Sequence, residues 1–123
     1  MITAQNTQSC SDAEAWRFGL TSGLVAGGLD GVLIAATSDA APWLIVQSVA
    51  AWTITGWAVF ATSSMLRPVA HGIAVSLLLN LAWYIQLAVI PAQYALLPPL
   101  IVMSVLFGVG LGWAKARVLR ARA

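Results

Sequence analysis

Long apolar runs separated by short polar breaks set the pattern of this chain. A helix needs roughly 20 apolar residues to cross a hydrocarbon layer about 30 Å thick. Four segments reach that length, at about 16–36, 42–63, 68–90 and 98–118. The pattern predicts an all-α fold: an integral membrane four-helix bundle forming a single transmembrane domain over 1–123. The breaks are Thr37–Ala41, Ser64–Arg67 and the longer, still apolar Pro91–Leu97. Links this short force neighbouring helices to run antiparallel.

Local signals fit these boundaries. Ser11 to Glu14 reads S-D-A-E, the form of a capping box, so the first helix is expected to begin in water and continue into the bilayer. Ser38 or Asp39 can cap the second helix, and Pro42 suits its first turn.

Charge placement adds a topology. Arg17 stands at the start of span one and Arg67 between spans two and three. Lys115, Arg117, Arg120 and Arg122 close span four. With four spans all six basic residues fall on one side, and the opposite links carry only Asp39. By the positive-inside rule both termini are expected in the cytoplasm, N-in/C-in, in a cytoplasmic (inner) membrane. An odd number of spans would divide the basic residues. Trp16 and Trp113 near one interface, and Trp43 and Tyr94 near the other, form the expected aromatic belt. Trp52 and Trp57 lie deeper, where packing is their expected role.

Composition supports the bilayer as solvent. Of 123 residues, 60% are hydrophobic and 8% charged, against about 25% charged in a typical soluble domain. A chain this small cannot bury that much apolar surface in one core. Residues 1–15 hold no Lys or Arg ahead of the apolar run, so they do not read as a secretory signal. Cys10 is the one cysteine, which rules out an intrachain disulfide and a CxxC motif; a free thiol outside the membrane is expected.

Helices in lipid gain little hydrophobic energy by touching, so small residues that permit close approach mark contact faces. Span one has Gly19, Gly23, Gly27 and Gly31 at every fourth position. Span four has Ser104, Gly108, Gly112 and Ala116. These glycine faces predict close helix contact within the chain or, as a homo-oligomer, with a second copy.

Candidate chemistry centres on Asp30. It lies thirteen residues past Arg17, roughly 20 Å along the helix. An acid at that depth costs about 2.5–3.5 kcal/mol to insert, faces a bundle interior by preference and marks a site by default. Asn80 lies thirteen residues past Arg67 on a parallel helix. Thr53 and Thr55, counted back from Arg67, and Ser104, counted back from Lys115, fall near the same level. A polar layer of Asp30, Thr55, Asn80 and Ser104 is the expected binding site. Gly72, Ser76, Asn80 and Trp83 share one face of span three and are expected to look inward. Gln47 and Gln86, with Tyr84, suggest a second, wetter ring nearer the outside.

Other chemistries find little footing. The one histidine, His71, sits near the basic end, away from Asp30, and reads as an interfacial residue; no metal site and no cofactor are expected. No serine shares its depth with a histidine and an acid, and no paired carboxylates or phosphate-cradling lysine loop are present, so the chain does not read as an enzyme. The tail "AKARVLRARA" suits anionic lipid headgroups and is too small a basic surface for nucleic acid. Two functions remain: a small transporter or channel-like protein whose polar layer contacts a solute, or a non-catalytic accessory or scaffold subunit of a membrane complex.

Overall fold

A computed structural model of the chain describes residues 11–37 and 42–122. Cys10, Ser38 and Asp39, and with them the expected cap of the second helix, lie outside the described residues. Among the described residues every regular element is helical, in four rods. Three helices are long and apolar enough to cross a membrane, and a bent pair makes a fourth when counted as one span. Such helices fit a multi-pass membrane protein.

The first rod starts at the expected capping box. The Ser11 hydroxyl accepts from the Glu14 amide at 3.2 Å, and the Glu14 carboxylate accepts from the Ser11 amide at 2.9 Å. A short turn, Asp12–Glu14, leads through a π-helical stretch, Ala15–Gly19, into the helix Leu20–Thr37. The second rod is Pro42–Ala61, ending before the predicted 63. The third begins with Pro68 at its first turn, where a missing N–H costs nothing. It divides into Pro68–Leu79 and Leu81–Tyr84, continues as a π-helical Ile85–Val89, and bends by 43°. The fourth is Leu97–Arg122.

Asn80 causes the bend. Its side-chain amide donates to the Ser76 carbonyl at 2.7 Å, and that carbonyl also accepts the Asn80 backbone N–H at 3.1 Å. A side chain entering the ladder in this way is a recognised source of kinks. The third rod ends in a Schellman turn: the Gln93 amide donates to the Ala88 carbonyl and the Ala92 amide to that of Val89. Ala92 sits in the left-handed region at φ 57°, a conformation glycine adopts more cheaply.

Two glycine-zipped hairpins build the packing. On span one, a Cβ added at Gly23 would lie 2.8 Å from Thr53 Cα, and at Gly27 2.8 Å from Val49 Cα. Gly56 of span two closes the same seam; a Cβ there would lie 2.6 Å from the Gly23 nitrogen. In the second hairpin, a Cβ at Gly72 would lie 2.8 Å from Gly112 Cα, and at Gly112 2.7 Å from Val69 Cα. The seam glycines are therefore engaged inside the chain. Gly28 and Gly110 have nothing within 4 Å and stand outside both seams.

Between the hairpins the backbones stand further apart, and large side chains fill the gap. Trp52 packs edge-on against Phe107 with ring centroids 4.9 Å apart. Val59, Phe60 and Leu111 are buried beside them. Leu24, Val32, Val46, Ile54, Leu78 and Leu106 point outward, as a bilayer-facing surface requires. Trp16, Trp43, Tyr94 and Trp113 are also exposed.

Candidate functional site

The glycine seam decides who meets Asp30. With spans one and two this close, a serine is long enough to reach across, and the Ser48 hydroxyl donates to Asp30 Oδ2. Trp52, one turn further along the same helix face, donates its indole N–H to the same oxygen at 3.2 Å. Asp30 is half-buried. Among the described residues, both of its hydrogen bonds fall on Oδ2, which leaves Oδ1 as an open acceptor.

A cavity of about 120 Å³ lies beside it, bringing Asp30, Asn80 and Ser104 together with Trp52, Trp83 and Tyr84. The Tyr84 hydroxyl donates to Ser104 Oγ at 2.5 Å, and the Ser104 hydroxyl donates to the Leu100 carbonyl at 2.9 Å. Asn80 gives Nδ2 to Ser76, so its Oδ1 is also uncommitted among the described residues. The expected inward face of span three holds: Gly72, Ser76, Asn80 and Trp83 are all buried. The Ser76 hydroxyl is buried with no hydrogen-bond partner, as is the Trp57 indole N–H.

Thr55 departs from the predicted layer. Its hydroxyl donates to the Ala51 carbonyl at 2.8 Å, and it lines a separate groove with Gln47 and Gln86 instead of the Asp30 cavity. Ser48, about two turns before Thr55 and a turn and a half before Thr53, takes the place expected of them; Thr53 donates to the Val49 carbonyl. The Gln47 and Gln86 side chains do meet, at 3.4 Å. Tyr84, expected with them, belongs to the Asp30 cavity.

A second polar cluster joins the hairpins at the end where the termini emerge, and sequence reasoning missed it. Lys115, expected among the headgroup anchors, is 3% exposed and donates from Nζ to the Thr62 carbonyl at 2.6 Å. Thr62 follows the last residue of the second rod, so the ammonium caps a helix C-terminus, where backbone carbonyls lack partners and the dipole favours a cation. His71, expected at the interface, is buried as well. Its Nε2 lies 3.0 Å from Thr62 Oγ1 and its Nδ1 2.9 Å from Ser64 Oγ. The Thr62 hydroxyl already donates to the Ala58 carbonyl, so Thr62 Oγ1 accepts from Nε2–H. Nδ1 then accepts from the Ser64 hydroxyl, whose oxygen also takes the Leu66 amide. A neutral ring with its proton on Nε2 completes this network without conflict. The spacing of a buried lysine three turns from Ser104 carried no signal that it would turn inward.

Comparisons with protein-family models, with curated proteins and with solved structures found no match for this chain. The functional reading rests on the geometry alone.

Proposed function

We propose that this chain is a small four-span protein of the cytoplasmic membrane, with both termini in the cytoplasm, that binds and passes a small solute through the polar cavity at Asp30 and Asn80. One observation carries the reading: the carboxyl group of an otherwise apolar span lines a cavity and keeps one oxygen unpaired. An acid needed only for packing would bring both oxygens into hydrogen bonds, because an uncompensated acceptor in low dielectric is costly. The placement of the six basic residues supports the orientation. The remaining four-helix surface is apolar enough to need lipid as its partner.

The scaffold reading rests on a different observation. The Ser48 and Trp52 bonds make Asp30 a clasp between spans one and two, useful to assembly alone. Asp30→Asn separates the two. Its side-chain carbonyl can still accept from Ser48 and Trp52, so the fold is expected at normal yield. Reconstituted in liposomes against a panel of small cationic, neutral and anionic solutes, Asp30→Asn and Asn80→Leu are expected to lose flux that the unmodified chain supports. Loss of folded yield or of assembly without any loss of flux would transfer the case to a scaffold. A reporter fused after Ala123 is expected to read out on the cytoplasmic side; periplasmic signal would overturn the orientation.

A further inference from the structure

The hydrogen-bond inventory of the cavity says what kind of solute it suits. Most of the hydroxyl and indole donors around it are spent; the Trp83 indole N–H and the second N–H of the Asn80 amide remain without a partner among the described residues. The Ser48 hydroxyl and the Trp52 indole N–H go to Asp30. The Tyr84 hydroxyl goes to Ser104, and the Ser104 hydroxyl to Leu100. Asn80 turns its amide nitrogen back to Ser76. Beside these two neutral N–H groups, what stays open is a set of acceptors: Asp30 Oδ1, Asn80 Oδ1 and the lone pairs of the Tyr84 phenol. One of these belongs to a carboxyl group. An anion would meet that carboxyl group with only the neutral N–H groups of Trp83 and Asn80 to offset it.

Among cations, the walls discriminate further. Ile34, Leu87, Leu100 and Met103 close the cavity with apolar surface. A dehydrated Mg²⁺ or Ca²⁺ needs about six or more oxygen ligands, and three acceptors among such walls do not supply them. A protonated primary amine matches instead. Its ammonium head carries three donors and its carbon tail is at home against aliphatic walls, while aromatic side chains at the cavity add cation–π attraction. The volume of about 120 Å³ is well under the roughly 300–1,000 Å³ of pockets for drug-sized ligands, so the amine must be compact.

We infer that the Asp30 cavity is a binding site for a small primary alkylammonium ion, held by Asp30 Oδ1 and Asn80 Oδ1 with its tail toward Leu87, Leu100 and Met103. This rests on the reading of the cavity as a solute site and names the solute's class.

Calorimetric titration of the detergent-solubilised full chain tests it with four probes. Propylammonium is the match. Propanol has the shape without the charge, tetramethylammonium the charge without N–H donors, and sodium neither tail nor donors. Propylammonium is expected to bind at least about tenfold more tightly than any of the other three, the value of one charge-assisted hydrogen bond. Asp30→Asn is expected to lose that preference. Met103→Phe, which fills the cavity and touches none of its hydrogen bonds, is expected to abolish propylammonium binding while leaving the unfolding temperature near that of the unmodified chain. Equal binding of tetramethylammonium or sodium, or no binding of propylammonium, overturns the inference. The two levels fail separately. Asp30-dependent flux of an inorganic ion without amine binding sinks the amine class and keeps the transport reading. Amine binding with no flux of any solute keeps the class and sinks transport.

Discussion

Alanine at Gly23 and alanine at Gly28 should change stability in opposite directions, although the two glycines lie five residues apart on one helix. At Gly23 the new Cβ would meet Thr53 O at 2.7 Å and Thr53 Cα at 2.8 Å, both backbone atoms that cannot rotate aside. Ordinary carbon contact begins near 3.5 Å, so spans one and two must part by about 0.7 Å locally. That separation loosens the whole seam, including the short reach from Ser48 to Asp30. Overpacking of this kind costs about 1–3 kcal/mol. At Gly28 nothing lies within 4 Å. The methyl group enters lipid, and only the helix propensity of alanine over glycine acts, a gain of up to about 1 kcal/mol. Reversible unfolding in mixed micelles by denaturing detergent, followed by circular dichroism, measures both against the unmodified chain. The expected order is Gly28→Ala above the unmodified protein and Gly23→Ala below it. Two variants that shift in the same direction by the same amount would refute the packing of spans one and two through this seam.

The same assay reads the other predictions. Lys115→Met keeps the aliphatic stem but leaves the Thr62 carbonyl without its ammonium donor, and is expected to cost about 1–3 kcal/mol, whereas Arg120→Met on the exposed tail should stay within about 0.5 kcal/mol. Trp57→Phe removes a buried indole N–H that has no partner and should leave stability unchanged or raised; Trp52→Phe strips a donor from Asp30 and should lower it by about 1–2 kcal/mol, so the reverse order would contradict the assigned bonds. Ala92→Gly relieves a left-handed alanine and should stabilise by about 1 kcal/mol, visible as a higher unfolding midpoint.

The rods were readable from composition because nothing else explains so many consecutive apolar residues in so short a chain. Their ends were readable where a capping box or a proline marks them, as at Ser11 and Pro68. The level of the polar residues was readable only where the chain stays helical up to its charged landmark. Asn80 follows Arg67 through an unbroken start of helix, and counting places it correctly at the Asp30 cavity. Span two is different. It ends at Ala61, and the residues up to Arg67 form a link that does not climb 1.5 Å per residue. Counting back from Arg67 therefore overshoots by the length of that link, which is why Thr55 was expected where Ser48 stands. The glycine seam corrects the error: once Gly27 is set against Val49 and Gly31 against Ile45, Asp30 falls opposite Val46, within reach of Ser48 and two turns or more from Thr55. The Thr62–His71–Ser64–Lys115 cluster was not readable, since all its members sit where a polar residue has water and headgroups within reach and no pattern says which will turn inward.

The cavity lies where the two packing regimes of this molecule meet. Within each hairpin the glycine seams bring backbones so close that not even a methyl group fits, so no solute can lodge there. Between the hairpins the rods are held apart by Trp52, Phe107 and Tyr84, and space becomes available. Polar contacts tie the hairpins together beside the cavity, through Gln47 to Gln86, and at the far end of the rods, through Lys115 to Thr62. At the level of the cavity the hydrogen bonds stay within a hairpin: Asp30 with Ser48 and Trp52 in the first, Tyr84 with Ser104 in the second. The two halves of the site are thus each hydrogen-bonded within a hairpin and are fastened to one another through the neighbouring Gln47–Gln86 pair and the distant Lys115–Thr62 contact rather than through the site itself. A solute that bridges Asp30 Oδ1 and Asn80 Oδ1 would supply the missing tie at the middle. Its binding energy would then go into joining the hairpins and not into breaking bonds already made.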